Sequence, residues 1–195
     1  MHSNINEIKL ATSNRHKLAE LKASFGEELE VKLSLVPEFD CEETGSSFLA
    51  NATQKAQRAS KITSSWCLAD DSGLSVIAMN SAPGIYSARF FEGGKGIDQI
   101  LLSLAKRSDR QAYYTCALVL TDSDAQVHWY TEKIWNGEIA SMPRGSQGFG
   151  YDPIFIPHGY QQTVAELNPS LKNKISHRAQ AIQALKEFLQ VGDRK

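Results

Sequence analysis

The sequence lacks several features that would assign it to a specialised class of protein. Its 195 residues include only three cysteines, Cys41, Cys67 and Cys116, which lie far apart and form no CxxC motif. This odd number of scattered cysteines supports neither a disulfide framework nor a zinc ribbon. No apolar run approaches the roughly 18 residues that a membrane span requires, and the N-terminal segment shows no signal-peptide core. We therefore expect a soluble cytoplasmic protein with no membrane partner.

Charge of one sign is not in excess either. The 21 lysine and arginine residues balance 22 aspartate and glutamate residues, which gives a formal net charge of −1. A dedicated nucleic-acid-binding protein usually has a clear basic excess, so nucleic acid is not an expected partner. With 42% hydrophobic and 22% charged residues, the composition is that of an ordinary globular domain with a sizeable core. An enzyme or a small-ligand-binding protein is the leading interpretation.

The hydrophobic pattern predicts an α/β protein. A strand over residues 7–12, a helix that ends at Gly26 and a second strand over residues 30–36 indicate a βαβ unit with a parallel pair of strands. Further helices are predicted over residues 46–62, 97–106 and 177–192. Further strands are predicted over residues 66–69, 74–79, 112–120 and 126–135. The last two form a predicted antiparallel hairpin, so the expected fold is a long mixed sheet with flanking helices.

The first candidate site is the polar turn over residues 12–17, with the sequence TSNRHK. A strand end leads there into a helix start, so several backbone N–H groups point outward together, and Lys17 adds a positive charge that suits an anion. The alternative is that Ser13 or Asn14 only caps the helix and that Lys17 is solvated. Arg15 and Lys17 oppose the helix dipole, and a bound anion would offset that repulsion.

Acidic residues form the second candidate site. Four of them lie within residues 38–43, just before an alanine-rich helix, and Asp70 and Asp71 follow an apolar strand. Carboxylates that converge from separate segments suit Mg²⁺, which prefers oxygen ligands. The alternative is a sharp turn over residues 70–73 in which the aspartate side chains bond to the local backbone. The residues themselves leave both interpretations open.

Two further clusters lie in the second half of the chain. Residues 145–153 place three glycines around two aromatic rings, which would let the backbone approach a flat ligand closely while a ring stacks on it. The alternative is a tight connection that depends on glycine. Lys172, Lys174, His177 and Arg178 surround one predicted helix start, where they oppose the helix dipole unless anionic or carbonyl-bearing ligand atoms lie nearby. A solvated basic surface is the alternative there.

Six stretches of the chain together resemble one family, the inosine triphosphate pyrophosphatases, also called Ham1-like or non-canonical purine NTP pyrophosphatases. They occur in the family's order and cover most of the chain, so their combination is far more specific than any one of them. They are LATSNRHKLAEL (10–21), ETGSSFLANATQKA (43–56), LADDSGLSV (68–76), APGIYSARF (82–90), GFGYDPIFIP (148–157) and ISHRAQAIQAL (175–185).

The resemblance implies a fold and a reaction. The expected fold is a single domain over residues 1–195, in which a long, mixed, twisted sheet and flanking helices form two lobes around a substrate cleft. The expected enzyme is a homodimer that uses Mg²⁺, with Mn²⁺ as an alternative ion. It would cleave purine NTPs and dNTPs between the α and β phosphates to give a monophosphate and pyrophosphate. Deaminated bases, as in ITP, dITP and XTP, would be preferred, and the role would be to clean the nucleotide pool.

The resemblance also assigns site residues. Asp71 resembles the proton acceptor for the attacking water, with Asp70 in support and Lys17 on phosphate oxygens. The metal ligands are Glu43 and Asp71. The residues that match the triphosphate-binding turn are Thr12, Ser13, Asn14, Arg15, His16 and Lys17. The residues that match the remaining substrate contacts are Ser72, Phe149, Gly150, Tyr151, Asp152, Lys172, His177 and Arg178. Within that set, Phe149 is the expected stacking ring, and His177 or Arg178 would contact the base carbonyl or a phosphate.

One position departs from the family pattern. Relatives commonly have a glutamate in a Phe-x-Glu-Asn-Ala motif where this chain has Phe48-Leu49-Ala50-Asn51-Ala52. If Glu43 and Asp71 hold the ion, activity should survive with weaker Mg²⁺ affinity. A nucleotide-binding sensor without catalysis is therefore a second hypothesis, and a Maf-like pyrophosphatase with another nucleotide preference is a third.

Overall fold

The computed structural model describes residues 5–26 and 31–192. The strands are Glu7–Leu10 (β1), Lys32–Leu35 (β2), Cys67–Val76 (β3), Ala82–Pro83 (β4), Gln111–Thr121 (β5), Val127–Ile139 (β6) and Phe155–Pro157 (β7). The α-helices are Arg15–Phe25 (α1), Phe48–Thr63 (α2), Ser87–Phe91 (α3), Lys95–Ser103 (α4), Pro169–Ile175 (α5) and His177–Gly192 (α6). Within these residues, no helix combines the length and the apolar character that crossing a membrane would require.

The strands form one mixed sheet, as predicted. Its order is β2-β1-β3-β5-β6-β7, and β4 pairs with β3 off this path. Strand β1 runs parallel to both β2 and β3, whereas β4 is antiparallel to β3 and β7 is antiparallel to β6. Strands β5 and β6 are neighbours joined by residues 122–126, and so short a connection permits only the antiparallel arrangement predicted for this hairpin.

The predicted βαβ unit is confirmed in its details. The side chain of Asn14 caps α1, and Gly26 ends it with a φ of 68°, a conformation that favours glycine. The second predicted strand is observed from Lys32, and its first predicted residue, Glu30, lies outside the described residues.

The chain divides into two compact units. Unit 1 contains the segments up to Asp71, Cys116–Lys133 and from Arg178 onward, and unit 2 contains Ser72–Thr115 and Ile134–His177. Strands β3, β5 and β6 each contribute residues to both units.

Unit 1 has an apolar core on each face of its part of the sheet. On one face, Leu118 and Leu120 of β5 pack with side chains of α1 and α6. On the other face, Ala117 and Val119 of the same strand pack with the alanines of α2. Because successive side chains of a strand point to opposite faces, the helices on the two faces receive different residues of each strand.

Unit 2 has a core rich in aromatic side chains. Tyr114 of β5, Trp135 of β6 and Phe155 of β7 belong to it, together with Ile100 of α4 and Leu104 just after that helix. The aromatic rings therefore come from three strands that are neighbours in the sheet.

Two predictions of local structure are wrong. Residues 70–73 form no turn, because β3 runs continuously from Cys67 to Val76, and the segment that follows is a short 3₁₀ helix, Ile77–Met79. The sequence Asp-Asp-Ser-Gly favours a turn by local propensity. Here, however, buried cations contact both aspartate side chains and stabilise them within the strand.

The other error concerns the basic cluster, which belongs to two helices and not to one helix start. Lys172 and Lys174 lie in the last turn of α5, a helix that the pattern did not predict, although Asn168 caps it and Pro169 begins it. Cations at a helix C-terminus are stabilised by the helix dipole. Only His177 and Arg178 begin α6.

We expect the hydroxyl of Thr121 to stabilise the attachment of α2 to the sheet. This buried oxygen lies 2.7 Å from Ser60 Oγ and within 3.3 Å of the carbonyl oxygens of Ala56 and Cys67. The isosteric change Thr121→Val should lower the free energy of unfolding by about 1–3 kcal/mol, because it leaves buried polar groups with fewer partners. Urea denaturation would measure this loss, and Thr131→Val on β6 should change stability by only about 0.5 kcal/mol. Equal effects of the two changes would contradict the prediction.

Candidate active site

Two adjacent carboxylates lie at the centre of the polar residues in unit 1. Asp70 and Asp71 are almost fully buried, with exposed fractions of 2% and 4%. Because they are neighbours on a strand, their side chains point to opposite faces of the sheet. Asp70 faces α1 and α6, and Asp71 faces α2.

Asp70 is held by two cations. Lys17 Nζ lies 3.3 Å from Asp70 Oδ2, and Arg178 Nη2 donates a hydrogen bond to the same oxygen at 3.2 Å. Arg178 also pairs with the carboxylate of Glu20. Burial by itself would raise the pKa of Asp70, but the charges of Lys17 and Arg178 outweigh it and hold the pKa well below its usual value. Asp70 is thus ionised at neutral pH and orients both cations.

The polar turn before α1 caps the helix, but Lys17 at its end is paired with a carboxylate. Asn14 Oδ1 accepts hydrogen bonds from the backbone N–H groups of His16 and Lys17 at 3.0 and 3.1 Å, so the helix cap is present. Thr12 Oγ1 accepts from the N–H of Asn14 at 3.2 Å, and Ser13, Asn14, Arg15 and His16 are exposed. Lys17 is not solvated as the capping alternative supposed, because it pairs with Asp70.

On the other face, Asp71 contacts two side chains of α2. Asn51 Nδ2 donates to Asp71 Oδ2 at 3.1 Å, and Lys55 Nζ lies 3.3 Å from Asp71 Oδ1. The same ammonium group lies 2.6 Å from Glu43 Oε1. Burial raises the pKa of Asp71, and the nearby charge of Lys55 does not reverse that direction. Burial alone would lower the pKa of Lys55, but the surrounding carboxylates, Asp71 first among them, raise it.

Sequence reasoning assigned no role to Asn51 or Lys55. A signal was present, since the two residues are four positions apart on a helix and therefore share one face. A second hydrogen bond holds the side chain of Asn51, because its Oδ1 accepts from the backbone N–H of Gly45 at 2.7 Å. A Cβ atom at position 45 would lie 2.6 Å from that oxygen, so this close approach requires glycine.

Glu43 and Asp71 have the oxygen-ligand chemistry that Mg²⁺ prefers. Both carboxylates contact one nitrogen atom, Lys55 Nζ, so their oxygens converge on one small region. Among residues 5–26 and 31–192, no group of three or more histidine, cysteine or acidic residues could hold a metal ion. Two carboxylates nevertheless suit Mg²⁺, which commonly keeps waters and substrate phosphates as its other ligands.

In unit 2, the glycine-rich loop is held by Asp152. Its Oδ2 accepts a hydrogen bond from the backbone N–H of Phe149 at 2.8 Å and also contacts Lys172 Nζ. Gly148 has a φ of 76°, and a Cβ atom there would lie 2.0 Å from Asp152 Oδ2. The loop therefore depends on glycine, as the interpretation of residues 145–153 as a tight connection supposed. Lys172 Nζ also lies 4.8 Å from the centre of the Phe149 ring. Asp152 and Lys172 therefore fix both the backbone and the ring of Phe149.

Four other predicted substrate contacts have different surroundings. Ser72 and Gly150 are half-buried, and Gly150 has a φ of 63°. Tyr151 is 4% exposed, its hydroxyl donates to the carbonyl oxygen of Ser87 at 2.8 Å, and burial raises its pKa. The ring of Tyr151 is thus part of the core of unit 2. His177 is 5% exposed and belongs to the same unit.

Comparison with known proteins gives a consistent result. The sequence profile of the Ham1 family matches residues 8–188. A dITP/XTP pyrophosphatase of Coxiella burnetii is 45% identical, over 94% of this chain and 96% of that protein. A dITP/XTP pyrophosphatase of a Nostoc species is 43% identical, over 90% of each chain. The solved structure of a HAM1 protein from Coxiella burnetii has a TM-score of 0.84 at 43% identity, and covers 94% of this chain and 98% of its own.

The opposite surroundings of the two aspartates predict opposite effects on stability. Asp70→Asn should lower the free energy of unfolding by about 3–5 kcal/mol, because it leaves the buried Arg178 and the half-buried Lys17 without their shared counter-charge. Asp71→Asn should cost little or stabilise the protein, because burial disfavours the ionised carboxylate and Lys55 keeps Glu43 as a partner. Urea denaturation at pH 7 would compare the two variants, and a larger loss in Asp71→Asn would contradict the assignment.

The pH dependence follows from the direction of the pKa shift of Asp70. Its folded-state pKa lies below its unfolded value of about 3.9, so its stabilising effect is fully present above that pH. The effect is lost as the pH falls further, through the folded-state pKa. The difference in unfolding free energy between the wild type and Asp70→Asn should therefore shrink below pH ~4. A difference that stays constant down to pH ~3 would contradict this.

Proposed function

This chain belongs to the Ham1 family, and from that membership we propose that it is a nucleoside triphosphate pyrophosphatase acting on ITP, dITP and XTP. The reaction would cleave the bond between the α and β phosphates, release pyrophosphate and so remove deaminated purines from the nucleotide pool. The names of the similar proteins support this substrate class. The observation that carries the proposal is that Glu43 and Asp71 both contact Lys55 Nζ, while two further cations, Lys17 and Arg178, contact the adjacent residue Asp70.

The cations that contact Asp70 are proposed to bind the triphosphate. Lys17 would contact phosphate oxygens together with backbone N–H groups of the turn over residues 12–17, and Arg178 would contribute a further charge. Asp70 supports them, because it holds Lys17 and Arg178 through one carboxylate oxygen. Groups arranged in advance need little reorganisation as charge develops on the phosphates, which is how such sites accelerate reactions.

The charge count of this cluster supports a requirement for a divalent cation. Lys17, Lys55 and Arg178 are matched by four carboxylates, Glu20, Glu43, Asp70 and Asp71, so the cluster has no positive excess to offer a triphosphate. Mg²⁺, or Mn²⁺ in its place, would be held by Glu43 and Asp71 and would supply the missing positive charge beside the phosphates.

Asp71 is proposed to accept the proton of the attacking water. A general base works best when its pKa lies near the operating pH, and burial shifts the pKa of Asp71 upward, in that direction. Asn51 and Lys55 each hold one of its two oxygens, which fixes the orientation of the carboxylate.

A second group of residues is proposed to select the base. Phe149 would stack on the purine, with Gly150 and Tyr151 forming the adjacent backbone and Ser72 a further contact. Asp152 and Lys172 would hold this arrangement and contact the base or the sugar. Inosine and xanthosine carry a 6-oxo group where adenosine carries a 6-amino group. An N–H donor of His177 or Arg178 would form a hydrogen bond with the 6-oxo group but would face another donor in the 6-amino group, and would therefore select against adenosine.

We also propose an oligomeric state and a cellular location for this protein. We propose a homodimer, which the family resemblance implies, and the exposure of Tyr130 and Ile134 on one face of β6 is consistent with a covered surface. We propose the cytoplasm as the place of action, because the substrates are intracellular nucleotides and all three cysteines are free thiols.

The direct test is a panel of NTPs and dNTPs, each assayed for pyrophosphate release with and without Mg²⁺. We expect Mg²⁺-dependent turnover of ITP, dITP and XTP, and much slower turnover of ATP. Asp71→Asn should reduce kcat by about 10²–10⁴-fold, and Lys17→Ala by about 10²-fold. The exposed Asp124→Asn is the matched control and should keep full activity. A pure chain that releases no pyrophosphate from any nucleotide would contradict the proposal, and tight ITP binding without turnover would favour the sensor hypothesis.

Ala50 offers a second test of the metal site. It is the third residue of α2, and its N–H donates to the capping side chain of Ser47 at 3.1 Å. Ala50→Glu should lower the Mg²⁺ concentration for half-maximal activity by about 10-fold, because it adds a carboxylate next to Asn51. Since a glutamate there can also complete a capping box, Ala50→Gln is the control, as it caps without charge. Equal Mg²⁺ requirements in the two variants would show that the added carboxylate does not act on the metal.

A further inference from the structure

The imidazole ring of His177 lies flat against the ring of Tyr114. The two ring centres are 4.7 Å apart and the planes differ by only 3°. Both side chains are nearly buried, with exposed fractions of 5% for His177 and 8% for Tyr114. Both belong to unit 2, so the contact lies within one compact part of the chain.

Two aromatic neighbours contact the ring of Tyr114. Phe155 meets it edge-to-face at 4.8 Å and 71°, and Trp135 lies 6.4 Å away at 27°. Trp135 also lies 6.0 Å from the His177 ring, at 25°. These three aromatic residues come from β5, β6 and β7, which are adjacent in the sheet, so the surface beneath His177 is set by strand pairing.

The stack matters because the torsion that turns an imidazole ring is soft. Rotation about the Cβ–Cγ bond of histidine has broad energy wells, so the side chain does not fix its own ring plane. A parallel ring at 4.7 Å blocks that rotation, because a turned imidazole would collide with the face of Tyr114. The two ring nitrogens are therefore confined to one plane, and any hydrogen bond they donate lies near that plane.

We propose that Tyr114 is a positioning residue that gives His177 its selectivity for 6-oxo purines. The inference rests on the proposed function, and of its two candidate donors to the 6-oxo group, His177 and Arg178, it takes His177. A donor held in one plane bonds to a carbonyl oxygen placed in that plane, but it faces another donor when the base carries a 6-amino group. A donor free to rotate avoids that repulsion and discriminates less, since specificity needs a penalty for the wrong partner as well as a contact with the right one.

The test compares Tyr114→Leu, which removes the ring, with Tyr114→Phe, which keeps it. Tyr114→Leu should lower the ratio of kcat/KM for ITP over ATP by about 10-fold, mainly through a higher KM for ITP, because binding geometry is lost while phosphate chemistry is kept. Tyr114→Phe should retain the wild-type ratio. A Tyr114→Leu enzyme with unchanged selectivity, or a Tyr114→Phe enzyme that has lost it, would overturn the proposal.

Phe155→Leu controls for a general loss of packing. It removes another ring of the same cluster, one with no ring contact to His177 among those in the described residues, so it should lower stability while leaving most of the ITP preference. His177→Ala should lose the same selectivity as Tyr114→Leu, and combining the two changes should add nothing further. A His177→Ala enzyme that keeps its preference for ITP would also overturn the proposal, even if Tyr114→Leu fails to fold.

An NMR measurement separates this inference from the proposed function. The protein has five histidines, and His177→Ala assigns one imidazole Cε1–H signal in the wild-type spectrum. A ring stacked on an aromatic face should show an upfield ring-current shift that persists in Tyr114→Phe and becomes smaller in Tyr114→Leu, where, of these two rings, only Trp135 still stacks on His177. If the wild type hydrolyses no nucleotide, the proposed function fails. If it prefers ITP, yet selectivity in Tyr114→Leu is unchanged although the shift is reduced, only the role of Tyr114 fails.

Discussion

The polar part of this protein depends on one constraint, which is that two adjacent charged side chains are buried on a continuous strand. A buried carboxylate must be paired or neutralised, and neighbouring residues of a strand cannot share one partner because they face opposite sides of the sheet. Each aspartate therefore requires its own set of partners on its own face. Asp70 has Lys17 and Arg178 from α1 and α6, whereas Asp71 has Asn51 and Lys55 from α2.

The different partners give the two carboxylates different chemistry. Two cations share a single oxygen of Asp70, and its lowered pKa keeps it ionised. That state suits a group that orients cations and takes no part in proton transfer. For Asp71 the effect of burial outweighs that of the nearby cations and the pKa is raised, which suits the proton acceptor that we propose this residue to be. One strand thus carries two adjacent carboxylates whose pKa values are shifted in opposite directions.

Much of the scaffold was predictable because its signals are local. The alternation of β1, the apolar spacing of α1 with its Asn14 cap, and Gly26 at the end of that helix all act within a few residues. The prediction of a turn at residues 70–73 was wrong because the stabilising partners of Asp70 are remote, Arg178 being 108 residues away. The cluster that includes Lys172 was misjudged because α5 is short and ends between the residues that were grouped together.

The sequence by itself determined the family, the parallel βαβ beginning, the mixed sheet and most of the residue types that form the candidate site. Motif order and hydrophobic period are properties of the chain, so they can be read before it folds. Only the tertiary structure decided which cation meets which carboxylate, in which direction burial shifts the pKa of each aspartate, and in which plane the ring of His177 lies. Charge pairing, burial and ring stacking join segments far apart in the chain, so they exist only once the helices have packed on the sheet.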